Sequence, residues 1–197
     1  MAIGEPSIRD GLVLEYRVEG STGPGTTRVV TERFSCHKQP DGRFEVRLQA
    51  EDVQAELYAA AYGAPMLVDS TLLASNGMPL QFRGLCPFAL TPSQRAAGAE
   101  IAWIWDGAGV QEVPAEPEDQ IIAKAMVRGP LPWRKWSAWV LERTDLPPGV
   151  PSPAAYYDQV TGLLVGIEYG ADLQDTRFIY CDAELQSALP AVDTPSA

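Results

Sequence analysis

The sequence predicts an all-β fold: a strongly curved antiparallel sheet, half-barrel or barrel-like, of about ten strands with at most one short helix. Three observations carry that expectation. Apolar and polar residues alternate at period two along most of the chain, which is the pattern of half-buried strands. Gly and Pro number 17 each among 197 residues, enough to punctuate many short elements. Nearly every link between the alternating runs is short enough for a hairpin, so consecutive strands should pair antiparallel.

Residues 11–19 open the pattern, with Leu12, Leu14, Tyr16 and Val18 on one face and Val13, Glu15, Arg17 and Glu19 on the other. After the flexible loop at 20–25, a second run over 27–38 carries Val30, Phe34 and Cys36 on one parity, interrupted by Glu32. Pro40-Asp41-Gly42 turns the chain into a third run with Phe44, Val46 and Leu48 on one face. These three runs predict an antiparallel meander. Residues 51–62 alternate like a strand but are rich in helix formers, and strand is the reading that matches their neighbours. Asn76-Gly77 predicts a hairpin between 65–74 and 78–83.

Residues 87–98, from Pro87 to Gly98, predict one short helical turn or a loop over a sheet end. Strands follow over 100–105, 110–113 and 120–128, the last stopped by Gly129-Pro130-Leu131-Pro132. A further strand is predicted over 133–143, then a stiff proline-rich loop over 146–153. Ala155 to Tyr169 reads as strand, tight turn, strand. Asp158 is placed to accept bonds from the turn backbone, and Gly162 can take positive φ. A last strand covers 176–184. The domain reading is a single β domain over 1–187 and a flexible tail over 188–197.

Composition bounds the function. Hydrophobic residues make up 46% of the chain, so it can build a sizeable core. The net charge of −11, from 15 basic and 26 acidic residues, repels phosphate backbones and argues against nucleic acid as a partner. Cys36, Cys86 and Cys181 are too few and too scattered for a disulfide framework or a zinc cluster, and three reduced buried thiols is the simpler reading. No apolar run reaches the ~20 residues of a membrane-crossing helix. The first seven residues lack the basic and apolar regions of a signal peptide. That places the protein in the cytoplasm if the chain is full length, and in the cell envelope if it is a trimmed mature form.

Catalytic chemistry is poorly supplied. His37 is the only histidine, and strand geometry sends it to the face opposite Cys36. No catalytic residue, metal ligand set or cofactor is predicted. Asp158, Asp172, Asp175 and Asp182 lack the spacing of a calcium loop. Glu142, Glu168 and Asp182 lie on late strands that could be neighbours, and a carboxylate beside a tyrosine would be the enzyme reading. Aromatic residues are more informative. All five tryptophans fall between Trp103 and Trp139, and a concave sheet would present such rings as a flat apolar wall. The predicted ligand-binding residues are Trp103, Trp105, Trp136, Tyr169, Phe178 and Tyr180. Arg134 and Lys135, between Trp133 and Trp136, are expected in a solvated loop, with stacking on the rings as the other reading.

The order Trp136-Ser137-Ala138-Trp139-Val140-Leu141-Glu142, a proline-rich loop, then Tyr156-Tyr157-Asp158-Gln159-Val160-Thr161-Gly162-Leu163-Leu164-Val165 resembles bacterial half-barrel proteins of the lipoprotein-carrier (LolA-like) type. The resemblance spans about residues 120–184. It implies a curved sheet whose concave face holds lipid or another apolar molecule, often in the cell envelope. The sequence reading is therefore a non-enzymatic binding protein with a lipid or other apolar small molecule as partner. The alternatives are a small β-barrel isomerase, cyclase or hydrolase, and an assembly component that pairs, or forms a homo-oligomer, through a sheet edge.

Overall fold

A computed structural model of the chain describes residues 8–21, 28–50, 66–70, 72, 80–82, 85–104, 122–148, 154–173 and 177–189. Within these, positions 21, 28, 50, 103–104, 122–123, 169–173, 177–183 and 187–189 are described by backbone register alone. The expected strands at 51–62 and 110–113, the Asn76-Gly77 turn and Trp105 lie outside the described residues.

The described fold is all-β, and among the described residues there is no helix. Ten strands form one antiparallel sheet: β1 (Val13–Ser21), β2 (Arg28–Lys38), β3 (Phe44–Ala50), β4 (Met66–Val68), β7 (Glu100–Ile104), β8 (Ile122–Trp133), β9 (Trp136–Arg143), β10 (Ala154–Asp158), β11 (Leu164–Leu173) and β12 (Arg177–Leu189). Their order across the sheet is β4-β3-β2-β1-β12-β11-β10-β9-β8-β7. The sheet is curved but not closed into a barrel. Two short strands, β5 (Gln81–Phe82) and β6 (Cys86–Pro87), pair with each other outside it. Two meanders therefore meet where the first strand pairs the last, over Val13 to Ser21 against Leu189 to Tyr180. β12 continues to Leu189, so Ala188 and Leu189 belong to the sheet.

Alternation sorts each strand into an inner and an outer face. Leu14, Tyr16 and Val18 of β1, Phe34 and Cys36 of β2, Leu141 of β9, Ala155 and Tyr157 of β10 and Ile167 of β11 are all buried. Register joins them into rows: Leu14 pairs with Phe34, Ala155 with Leu141 and Ile167, and Tyr157 with Trp139 and Leu164. Glu32 is buried in the same inner face, across from Tyr16. Exposed His37 beside buried Cys36 follows from the same alternation.

The inner face is covered by the chain's own segment, Leu80–Phe82 with Leu85–Ala99. Phe82 and Phe88 pack with Tyr16 and Phe34 into a four-ring cluster, with centroids 4.5–5.8 Å apart. Backbone bonds tie the cover to the sheet: Leu164 N–H donates to Phe88 O (3.0 Å), Leu90 N–H to Gly162 O (2.8 Å) and Gly98 N–H to Val127 O (2.8 Å). One buried hydroxyl adds to these, Tyr157 donating to Pro87 O at 2.8 Å, while Tyr16 donates within the sheet to Leu164 O at 2.8 Å. The predicted helical turn is present as a single turn, with Arg95 N–H donating to Thr91 O at 3.1 Å.

One boundary differs from expectation. β8 runs on to Trp133 through Gly129-Pro130-Leu131-Pro132, and β9 begins only at Trp136. The proline pair interrupts the ladder without ending the strand. Register lapses between Arg128 and Leu131, where a bulge absorbs the missing donor, and pairing resumes at Leu131↔Ala138. Gly129, at φ 105, is required there; a Cβ would lie 2.8 Å from Leu131 N and 3.1 Å from Ala138 O. Phe88→Ala should lower stability by about 3–5 kcal/mol through loss of buried area and an unfilled cavity. A fall in the urea midpoint at constant m-value checks this.

Candidate functional site

The inner face is the candidate site, and its geometry begins at the β10–β11 turn. Asp158 Oδ2 accepts from Val160 N (3.2 Å), Thr161 N (2.7 Å) and Thr161 Oγ1 (2.7 Å), which closes the turn as its sequence predicts. Gly162 then takes φ 71. Its role is larger than the turn, because the covering segment rests on it. A Cβ there would collide with Leu90 O and approach Arg95 Nε to 2.9 Å. Arg95, 2% exposed, reaches over the turn and donates from Nη1 to Val160 O. Neither Arg95 nor the contact of Leu90 with Gly162 was legible beforehand. The signal in the sequence was one arginine, the single charged residue of the 87–98 stretch.

Packing around the aromatic cluster is close. A void of about 10 Å³, bordered by Phe34, Cys36, Leu80 and Phe88 among others, has room for about one water at most. Burial pushes the Tyr16 and Tyr157 hydroxyls well above the ordinary tyrosine value of 10.0. The same cause pushes the Cys36 thiol up to about 11, so it is an inert core thiol. Cys36 and Cys86 are both buried thiols outside any disulfide.

Trp139 belongs to this inner face by its pairing with Tyr157. It is 9% exposed, and its indole Nε1 is buried without an acceptor among the described residues. It stands beside the lapse in the β8–β9 ladder, since Ala138 and Val140 find partners in Leu131 and Arg128 while Trp139 lies between them.

Of the predicted ligand residues, Trp105 lies outside the described ones, and the other five do not occupy one row. Trp103 pairs with Ala123 and Tyr169 with Cys181, positions in phase with Ile101 and Ile167, which are buried. Phe178 pairs with Asp172 and Tyr180 with Gly170, one position out of phase with Tyr169. Trp136 closes the β8–β9 hairpin opposite Trp133; its indole Nε1 is likewise buried without an acceptor among the described residues.

That hairpin tip folds over the outer face. Trp133 stacks on Tyr156 of β10, with centroids 4.2 Å apart and planes 10° from parallel. Trp133 Nε1 donates to Glu168 Oε1 at 3.0 Å, and Tyr156 OH donates to Glu168 Oε2 at 2.8 Å. Arg134, at φ 48, lies 4.6 Å from the Trp133 ring and pairs with Glu184 at 2.7 Å. Lys135 sits over Trp136 at 5.4 Å and 3.8 Å from Glu184. The cations thus stack on the rings and also meet carboxylates, beyond the solvated loop expected of them.

The three late carboxylates are sheet neighbours. Glu168 pairs with both Ala154 and Asp182, and Ala154 with Glu142. Asp182 also pairs with Glu19, so a row of acidic positions crosses the sheet. Its described side chains are half-buried or exposed, with Glu142 held by Arg128 at 3.0 Å. Burial first, then the hydrogen bond and charge of Glu168, raise the Tyr156 hydroxyl above the usual tyrosine range. The proton stays on Tyr156 at neutral pH, donated to Glu168. Among the described residues no group of three or more His, Cys, Asp or Glu could hold a metal, and no helix is long and apolar enough to cross a membrane.

No protein-family model, curated protein or solved structure matches the chain.

Two predictions follow from the cover. Gly162→Ala should cost more than Gly98→Ala. Both positions have positive φ, worth about 1–2 kcal/mol each, but Gly98 has open space around it and Gly162 does not. Paired urea titrations of the two variants measure the difference. Stability should also fall as pH rises past about 10. Unfolded tyrosines ionise near 10.0 while folded Tyr16 and Tyr157 stay protonated well above it. The folded state therefore holds more protons in that window, and the stability present below pH 10 is lost above it. Thermal midpoints from pH 8 to 11.5 should show this decline, and Tyr157→Phe should reduce its slope.

Proposed function

We propose that the protein is a non-catalytic binding protein that holds an apolar or amphiphilic molecule on the inner face of its curved sheet. The observation that carries this reading is the distribution of the inner rows relative to the cover. The cover's described bonds engage β8 and the β10–β11 end, around Tyr16, Tyr157 and Leu164. The inner rows continue past them to Trp103 on β7 and Tyr169 on β11. An open sheet with aromatic positions at that end offers the broad apolar wall that lipid-like ligands use. Where the cover already fills the face, a ligand would have to displace fully buried rings, at about 2 kcal/mol or more for each. The reading therefore assigns the ligand to the far end, beside Trp103 and Tyr169.

Titration with a panel of fatty acids, lysophospholipids and sterols, followed by tryptophan fluorescence, tests this. A saturable shift or quench with at least one member is expected, weakened about tenfold or more by Tyr169→Ala. A flat response to every member would remove the reading.

A further inference from the structure

We propose that the tip of the β8–β9 hairpin, residues 131–136, is a hinged strap. It lies closed over the outer face and opens as a unit, with the core intact, to uncover the Tyr156 ring and the carboxylates of Glu168 and Glu184. The strap is on the outer face and does not depend on the inner-face reading.

A hinge stands at its base. The β8–β9 ladder lapses between Arg128 and Leu131, and Gly129 sits in the gap at φ 105. Pro130 and Pro132 bring no N–H to the ladder. On the other leg, β9 pairs with β10 only from Ala138 onward. Past the gap the tip pairs with its own hairpin partner, Leu131 with Ala138, Pro132 with Ser137 and Trp133 with Trp136. A glycine at a break in a regular ladder is a position that can absorb a large change of dihedral angles. Leu131, just beyond the gap, is 47% exposed, so the stem of the tip adds little burial.

Side chains hold the strap closed, and the closed state carries costs of its own. Trp133 stacks on Tyr156 at 4.2 Å, its Nε1 donates to Glu168 at 3.0 Å, and Arg134 pairs with Glu184 at 2.7 Å. Lys135 approaches the same Glu184 at 3.8 Å. Against these contacts, Arg134 takes φ 48 at the first turn position, where two-residue hairpins favour glycine. Trp136 Nε1 is buried without an acceptor among the described residues, and opening lets water supply one. Arginine stands at a glycine-type position because its side chain is the latch, lying 4.6 Å from the Trp133 ring while it reaches Glu184. Partly exposed ion pairs of this kind are weak. The core is held by the interlocked rings of Tyr16, Phe34, Phe82 and Phe88 and by main-chain bonds to the cover. The tip therefore opens at lower cost than the core.

Native-state hydrogen exchange on the full chain tests this. It compares the Trp133 indole N–H with the Leu164 main-chain N–H, which donates to Phe88 O of the cover, each relative to its rate in the unfolded chain. In the wild type the Trp133 proton is expected to be at least about a hundredfold less protected than that of Leu164. Glu184→Gln removes the latch and should speed Trp133 exchange about fivefold, leaving Leu164 exchange and the urea midpoint unchanged. Arg134→Gln breaks the same pair from the other side and should do at least as much. Equal protection of the two protons in the wild type means that the tip opens only with the whole protein, and overturns the strap. Variants that change both protons equally, or that leave Trp133 exchange unchanged, overturn it as well.

Discussion

An open ten-stranded sheet must cover its inner face, and the packing of the Leu80–Ala99 segment against the β10–β11 end is the contact on which the rest depends. Phe82 and Phe88 interlock with Tyr16 and Phe34, so the rings bury one another and close the strands' apolar rows. Main-chain bonds from Leu90 and Leu164 then fix where the cover lies. Several residue choices are consequences. Tyr16 and Tyr157 are tyrosines because each hydroxyl meets a carbonyl that the cover or its partner strand leaves available. Gly162 is glycine because Leu90 O and Arg95 occupy the space of a Cβ. A turn that would fold by itself is thereby made into a seat.

The outer face solves a different problem. Its charges are paired across and along strands, as in Arg17–Glu19, Arg33–Glu15 and Arg128–Glu142. Exposed pairs of this kind contribute little each, and their value is in keeping a −11 protein's acidic rows from repelling. Over β10–β12 the β8–β9 tip adds a local apolar patch, in which Trp133 is held between Tyr156 and Arg134. That explains why Ala138, Trp139, Val140 and Leu141 are all buried although alternation should expose every second one. The tip covers one face and the core the other.

Strand existence was legible because period-two alternation reports a sheet with one wet face. β1, β2 and β3 follow that pattern closely, and the Asp158 turn carried its own chemistry; on β11 Leu164 to Ile167 are all buried, and a bulge shifts the register between Tyr156 and Tyr157. The Trp133–Trp136 region was misread for a physical reason. Proline pairs ordinarily end strands, and only the bulge opposite Trp139 lets β8 continue to a two-residue turn in which Arg134, not glycine, takes positive φ. The cover was legible as a loop over a sheet end, but not its target, because Arg95 and Gly162 are 67 residues apart in sequence (162 − 95) and nothing local links them. The carboxylates Glu142, Glu168 and Asp182 were readable as neighbours; the tyrosine beside Glu168 was placed only by register.

A binding role on the inner face makes one demand that no stability measurement addresses: the folded protein must carry a molecule other than itself. Native mass spectrometry of the purified protein, before and after incubation with a lipid panel, addresses it directly. The account predicts a one-to-one complex heavier than the chain by the mass of an apolar or amphiphilic compound, lost on organic extraction and depleted in Tyr169→Ala. A spectrum showing only the mass of the chain under every condition would contradict it.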